Sequence, residues 1–131
     1  MVQNTFINLE TQNVAQARAF FTHIGLSINE KYSDDHGICV VINDNTFMMI
    51  MTHDRFKAFT LADTPNSFHQ TEVIITLQLE DKLSVDNFIS KVKEAKGSEF
   101  GYPTDNEFMY YRAFRDLDGH HFEVFFFKPL R

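Results

Sequence analysis

The sequence is poor in several residue types that mark particular classes of protein. It contains no tryptophan, three prolines and one cysteine among 131 residues, so no disulfide can form within the chain. The single cysteine, Cys39, lies in the apolar run GICVVI. A small buried hydrophobic side chain is the ordinary role of a thiol in such a run, and a reactive nucleophile is the alternative.

The chain also lacks a cluster of basic residues and a long hydrophobic segment. Its formal net charge is −6, and the absence of a basic face argues against nucleic acid or an anionic membrane surface as a partner. No apolar run approaches the roughly 20 residues that span a bilayer, and the N-terminus has no leader pattern. We therefore expect a cytoplasmic protein.

Hydrophobic and aromatic side chains are abundant. The sequence has 15 phenylalanines, and 44% of its residues are hydrophobic. This composition is typical of a globular chain rather than a disordered one. A chain of this length can bury one proper core, so we expect a single domain over residues 1–131.

One order of elements occurs twice. In the first half TFINLE predicts a strand, NVAQARAFFTHIG predicts an amphipathic helix that begins after Asn13 and stops at Gly25, and SINEKYS, GICVVI and TFMMIMT predict three strands. In the second half EVIITLQL predicts a strand, SVDNFISKVKEAKG predicts a helix capped by Ser84, and SEFGY, EFMYYRAFR and HHFEVFFF predict three strands. The chain thus reads as two copies of one module.

The two modules differ from the segment between them. Module 1 covers about residues 4–53 and module 2 about residues 71–131. The linker over 54–70 contains Pro65 and has room for a short helix around Phe56 and Phe59.

Three stretches resemble the vicinal oxygen chelate superfamily, the group of glyoxalase I, bleomycin resistance proteins and extradiol dioxygenases. They are FINLETQNVAQARAFFTHIGL, FMMIMTHDRF and MYYRAFRDLDGHHFEVFFF. The best match is a small-chain branch of predicted lactoylglutathione-lyase-like proteins. The resemblance implies an α+β fold in which two βαβββ modules form a curved eight-stranded sheet around a ligand cavity. It also implies a homodimer, with each cavity built either within one chain or across the dimer.

The same resemblance implies where a metal would bind. Metal-using members hold a divalent ion with His, Glu or Gln side chains from the first and last strands of each module, and the ion acts as a Lewis acid. Here those four positions fall on Phe6, on Met49 or Ile50, on Ile74 or Thr76, and on Glu123. Only Glu123 keeps a ligand. We expect no cofactor and no four-ligand metal site, with a divalent metal as the alternative.

Glu123 lies within the apolar strand HHFEVFFF, where an unpaired carboxylate is costly to bury. Three interpretations stay open. The side chain could pair with Arg112, which a two- or four-residue turn within DLDG would place on the same face. It could bind a metal together with His121, two positions earlier on that face. It could also act as a general base whose pKa is raised by apolar surroundings.

Strand alternation predicts which side chains line the cavity. One side of each leading strand is wholly apolar and should lie under a helix, so the opposite side faces a ligand. The candidate ligand-binding residues are Phe6, Asn8, Met49, Thr76, Gln78, Tyr110, Arg112, His121 and Phe125. The first hypothesis is a module that binds a small organic molecule in an apolar, aromatic-lined cavity. The rival is a metal-dependent lyase or isomerase resembling lactoylglutathione lyase.

Overall fold

Each half of the chain forms one strand, one helix and three further strands, as the repeated pattern predicts. The structure is a computed structural model and describes residues 1–129. The backbone divides into two compact units, Met1–Pro65 and Asn66–Arg131, of which residues 130 and 131 lie outside the described part. No helix in this described part is long and apolar enough to cross a membrane.

The first unit contains a four-stranded sheet and two α-helices. Its elements are β1 (Thr5–Thr11), α1 (Val14–His23), β2 (Ser27–Ile28), β3 (Gly37–Asn43), β4 (Thr46–Thr52) and α2 (His53–Thr60). The strands lie in the order β1-β4-β3-β2. β1 runs parallel to β4, and the other neighbours are antiparallel.

The second unit repeats this arrangement. Its elements are β5 (Ile74–Gln78), α3 (Lys82–Glu94), β6 (Ser98–Asp105), β7 (Met109–Arg115) and β8 (His121–Phe127). The strand order is β5-β8-β7-β6, and β5 runs parallel to β8. The first strand of each unit therefore pairs with its last strand.

Each long helix covers one face of its own sheet. On α1, Ala17, Phe20 and Phe21 are buried, as the 3.6-residue stripe predicts. On α3, Val85, Ile89 and Val92 are fully buried, and the helix packs on β6, β7 and β8. Burial of each such aliphatic or aromatic side chain stabilises the folded state by about 1.5–3 kcal/mol. The core of each unit therefore lies between its long helix and its sheet.

The helix ends follow capping chemistry. Asn13 caps α1 as predicted, because its side-chain oxygen accepts the N–H of Gln16 at 2.9 Å. The predicted cap of α3 was wrong. Asp81 caps this helix by accepting the N–H of Ser84 at 2.8 Å, so α3 begins three residues earlier than the sequence pattern indicates.

Two further segments test the sequence patterns. The segment SINEKYS was predicted to be a strand, but only Ser27–Ile28 is extended. A short 3-10 turn over Glu30–Tyr32 follows it, after Asn29. The side chain of Asn29 accepts the N–H of Lys31 at 3.1 Å, which favours this turn over extension. The short helix predicted around Phe56 and Phe59 is present as α2.

Candidate ligand-binding faces of the two sheets

Each sheet has one face under its long helix and a second face on the other side, here called the open face. In the first sheet the open face contains Phe6 and Asn8 of β1, which lie beside Phe47 and Met49 of β4. Phe6 is 53% exposed and stacks on Phe47 with ring centroids 5.1 Å apart. The predicted face of Phe6, Asn8 and Met49 is therefore confirmed.

The helix-covered face of the first sheet holds the alternate residues. Leu9 is 7% exposed and lies beside Ile50, which is fully buried. Of the two candidates for the second ligand position, Ile50 is thus under the helix and Met49 is on the open face. A thioether is a poor ligand for a hard cation, so this position offers little to a divalent metal.

Sequence reasoning missed a polar group at one end of the first open face. His53 Nδ1 lies 2.7 Å from Glu10 Oε2, and the His53 side chain is 59% exposed. Nearby, the guanidinium of Arg55 donates to both carboxylate oxygens of Asp34 at 3.2 Å. Because Glu10 and His53 are distant in sequence, no local motif indicates their pairing.

The open face of the second sheet contains the polar residues predicted from β5 and β8. Parallel pairing places Ile74 beside His121, Thr76 beside Glu123, and Gln78 beside Phe125. The alternate residues Ile75, Phe122 and Val124 are buried under α3. The structure thus brings Thr76, Gln78, His121, Glu123 and Phe125 together on one face, as predicted.

Arg112 and Tyr110 do not belong to this face, and their predicted positions were wrong. Arg112 lies beside Val124 on the helix-covered face. Its guanidinium donates to Glu99 at 2.7 Å from both Nε and Nη2, and to Asp86 at 2.9 Å from Nη1. The Tyr110 hydroxyl donates to the same Asp86 at 2.5 Å.

The hydrogen bonds around Arg112 fix the charge state of its partners. The bonds from Arg112 lower the pKa of Glu99 despite partial burial of the carboxylate, and the bond to Glu99 raises the pKa of Arg112. For Asp86, burial opposes ionisation, but the hydrogen bonds from Tyr110, Lys82 and Arg112 outweigh it and lower the pKa. This network joins α3 to β6 and β7 and has a structural role.

The register of the β7–β8 hairpin explains the wrong positions. Arg115 pairs with His121, so five residues lie between the two strands rather than two or four. Asp116 stabilises this odd loop, because its Oδ1 accepts the N–H groups of Asp118 at 3.0 Å and His120 at 2.9 Å. A shift of one residue moves every side chain of β7 to the other face. The residues of β7 on the open face are therefore Tyr111, Ala113 and Arg115.

Glu123 consequently has no arginine opposite it, since its partner across the hairpin is Ala113. Its Oε1 accepts the hydroxyl of Thr76 at 3.4 Å, and its Oε2 lies 3.8 Å from His121 Nε2. Burial lowers the pKa of His121, while the charge of Glu123 opposes this shift. The carboxylate thus sits between a hydroxyl and an imidazole on a face that is otherwise largely apolar.

The donors near Glu123 do not reproduce a four-ligand metal centre. The sequence resemblance assigns the third ligand position to Ile74 or Thr76, both of which lie on this face, and the second to Met49 of the first unit. An aliphatic chain is no ligand, and a hydroxyl and a thioether are weak ligands for zinc or nickel. Among residues 1–129, one group of three His, Cys, Asp or Glu side chains has its ligand atoms within 4.8 Å, namely Asp116, Asp118 and His120. That group builds the hairpin loop. Within it, burial raises the pKa of Asp116 to about 6.

Comparisons with known proteins agree with this fold. A hypothetical protein from S. aureus superposes with a TM-score of 0.84 and 28% identity, over 96% of this chain and 95% of that one. A glyoxalase/bleomycin resistance protein/dioxygenase family enzyme from Burkholderia phytofirmans superposes with a TM-score of 0.79 and 13% identity, over 92% and 95%. A glyoxalase-related enzyme from Fulvimarina pelagi gives 0.80 and 13%, over 96% and 88%. No protein-family model matches the chain, and no curated protein matches it.

Proposed function

We propose that this chain, which has the glyoxalase/bleomycin resistance fold, binds a small organic molecule against the open face of its second sheet. The observation behind the proposal is the combination of side chains there. Ile74, Phe100 and Phe125 provide apolar surface around the carboxylate of Glu123 and the imidazole of His121. Small-molecule sites are usually apolar with a few convergent polar groups, and this face has that composition.

Exposure supports the same face. Ile74, the first residue of β5, is 48% exposed although it is a large aliphatic side chain. The His121 and Glu123 side chains are 15% and 26% exposed, so a ligand can reach them while water only partly screens them. A hydrogen bond to either group is therefore stronger than one on a fully hydrated surface.

The proposal excludes the four-ligand metal centre on the chemistry of the donors. Of the four positions, those at Phe6, at Met49, and at Ile74 or Thr76 have no imidazole or carboxylate to offer. One carboxylate and one imidazole would leave most of the coordination sphere of an ion to water, and such an ion exchanges readily. Recognition of the ligand then depends on direct hydrogen bonds and apolar contact.

A lyase or isomerase resembling lactoylglutathione lyase is the second candidate. Its supporting observation is the 3.8 Å separation of His121 Nε2 and Glu123 Oε2, which are two groups able to accept and donate a proton within one ligand-sized space. Adding nickel, zinc, iron or manganese and testing for turnover of a hemithioacetal would separate the candidates. Metal-dependent turnover favours the enzyme, and its absence favours the binding module.

We also propose that the protein is a cytoplasmic homodimer and that each chain forms a single domain over residues 1–131. Large apolar side chains such as Phe6 and Ile74 are about half exposed in one chain, and a second copy is a common means of covering such surface. Light scattering should report about twice the chain mass. A monomer at high protein concentration would contradict this part of the proposal.

Native mass spectrometry of the protein as purified tests the proposed function. We expect a fraction of the protein to retain a small organic molecule, which accurate mass after denaturation would identify. That molecule should then shift the NMR signals of Thr76, His121 and Phe125 in ligand-free protein, while residues of the outer face of α1 stay unshifted. If neither this molecule nor a screen of small aromatic compounds perturbs either open face, the proposed function is wrong.

A further inference from the structure

Arg115 differs in its surroundings from the other three arginines within residues 1–129. Arg18 pairs with Glu30, Arg55 with Asp34, and Arg112 with Glu99 and Asp86. The Arg115 side chain makes neither an ion pair nor a hydrogen bond to any residue in the described range 1–129. Its Nε is buried without a hydrogen-bond partner there. Buried polar groups of native proteins are almost always paired, so a buried guanidinium nitrogen without an acceptor needs an explanation.

The guanidinium group lies on the open face of the second sheet. Its Cζ is 4.6 Å from the centroid of the Phe100 ring, close enough for a cation–π contact. Arg115 pairs across the hairpin with His121, whose ring meets the same Phe100 edge-on at 4.6 Å. Phe100 therefore holds an arginine and a histidine side by side.

His121, like Arg115, has a buried side-chain nitrogen without a hydrogen-bond partner among the described residues. This nitrogen is Nε2, and the nearest carboxylate oxygen is 3.8 Å away. In the tautomer with the proton on Nε2, this atom and the guanidinium of Arg115 both present N–H donors to one region. Two neighbouring donors without acceptors indicate that an acceptor from outside the chain belongs there.

We propose that the ligand of this open face is an organic anion, and that Arg115 and His121 bind its carboxylate or phosphate oxygens. This inference rests on the proposed function and names the chemical class of the ligand. The planar guanidinium donates two parallel hydrogen bonds to either oxyanion, which an ammonium group cannot match. Phe100 fixes the plane of the guanidinium through the ring contact.

Glu123 restricts the rest of the ligand. It lies on the same face two residues beyond His121, and its Oε2 is 3.8 Å from His121 Nε2. The anionic group must therefore lie on the Arg115 side of His121. A second negative group beside Glu123 would be repelled, whereas a hydroxyl or an uncharged apolar body would not. The site therefore fits a molecule with one anionic end toward Arg115 and a neutral body toward Glu123 and Phe125.

A matched set of probes tests the charge requirement on the unmodified protein. Phenylacetate, phenyl phosphate and the neutral phenylacetamide share one aromatic body, and each can be titrated into isotopically labelled protein. We expect phenylacetate or phenyl phosphate to shift the Arg115 Nε–H and His121 ring signals, with an affinity at least tenfold above that of phenylacetamide. The stronger of the two anions identifies the preferred oxyanion. Equal affinity for the amide would overturn the inference.

Variants locate the effect. Arg115→Gln should weaken binding of the preferred anion at least tenfold and leave the weak binding of phenylacetamide unchanged, while Arg115→Lys should retain part of the affinity. Arg18→Gln, which removes a partly exposed arginine on α1, is the matched control and should change neither the affinity for the anion nor that for phenylacetamide. Two-dimensional spectra of each variant verify that it folds.

The outcomes separate the two proposals. If neutral compounds bind the open face and Arg115→Gln does not alter anion affinity, the ligand is not recognised as an anion although the binding function stands. If no probe and no co-purified molecule perturbs this face, both proposals are wrong.

Discussion

Arg112 and Glu123 lie on opposite faces of the second sheet. Arg112 is next to Val124, one residue beyond Glu123, and its guanidinium is held by Glu99 and Asp86 under α3. The arginine that could have neutralised Glu123 thus stabilises the helix-covered side instead. The carboxylate remains on the open face with Thr76 as its hydrogen-bond donor.

Arg112→Ala should destabilise the protein by about 2–4 kcal/mol, because it leaves Glu99 partly buried without its strongest donor. A double-mutant cycle with Glu99→Ala should give a coupling energy of about 1 kcal/mol or more, whereas the cycle with Glu123→Ala should be additive within about 0.5 kcal/mol. Urea denaturation measures both. Arg18→Ala breaks an ion pair whose Glu30 partner is well exposed, and should cost below about 1 kcal/mol.

Phe6→Ala and Leu9→Ala should differ in their effect on stability. Leu9 is 7% exposed and lies beside the fully buried Ile50, so its truncation should cost about 2–5 kcal/mol. Phe6 is 53% exposed and contacts Phe47, so its truncation should cost below about 1.5 kcal/mol, the upper value of one aromatic pair. Equal losses in thermal denaturation would mean that the two faces of β1 are assigned wrongly.

The purified protein should contain far less than one divalent metal per chain after mild dialysis. The reason is the donor set, in which Glu123 and His121 are the two strong ligands near the superfamily position. Elemental analysis measures nickel, zinc, iron and manganese directly. A near-stoichiometric metal that disappears in Glu123→Gln would contradict this expectation and favour the lyase or isomerase.

Asp116→Asn should change how stability depends on pH. Burial raises the pKa of Asp116 from 3.8 to about 6, so the folded state binds more protons than the unfolded state between these values. Stability contributed by this group is therefore present below about pH 4 and is lost as the pH rises through about 6. The variant should match the unmodified protein near pH 4 and exceed it by up to about 3 kcal/mol at pH 7.

The asparagine keeps the side-chain oxygen that accepts the Asp118 and His120 amides. The variant should therefore retain the loop conformation, and the difference in stability reports on the charge of residue 116. Carboxylates with lowered pKa values, such as Asp34 and Glu99, make the protein more stable as the pH rises. They do so equally in the variant and the unmodified protein, so their effect cancels when the two stabilities are subtracted. Chemical denaturation from pH 4 to 7 supplies the curves. Parallel curves would show that the folded and unfolded states bind this proton equally, so that burial does not raise the pKa of Asp116.

Gly119→Ala should cost more than Gly101→Ala, although both glycines have positive φ angles of 87° and 68°. An added Cβ at Gly119 would lie 2.7 Å from the backbone nitrogen of Phe68, whereas nothing lies within 4 Å of one at Gly101. The left-handed conformation alone costs about 1–2 kcal/mol, and the clash adds about 1–3 kcal/mol. Similar melting temperatures for the two variants would contradict the close packing of Phe68.

Much of the fold could be predicted because hydrophobic alternation is strong where one sheet face is buried. In β1 and β8 alternation alone separates the buried Leu9 and Phe122 from Phe6 and Glu123 on the opposite face. The cap of α3 was misplaced because Asp81 and Ser84 are both good capping residues. Side-chain geometry, in which Asp81 accepts the N–H of Ser84, decides between them.

The site could be predicted only in part. His121, Glu123 and Phe125 follow from alternation along one strand, but the residues opposite them depend on the length of the hairpin loop. Asp116 accepts two backbone amides and so fixes an odd number of loop residues, which turns Arg115 rather than Arg112 toward the open face. No periodicity in the sequence contains that information.

The parallel pairing of the first and last strands of each unit has a consequence for protein synthesis. Thr5 lies beside Thr46, and Ile74 lies beside His121, so neither sheet can close from neighbouring segments alone. A strand that leaves the ribosome early can pair only after a much later strand has been synthesised. Contacts between residues far apart in sequence also form slowly. The hairpins β3–β4 and β7–β8 can form first and present the edges onto which β1 and β5 dock. The edge of each open face that β1 or β5 forms is thus the last part of its unit to be assembled.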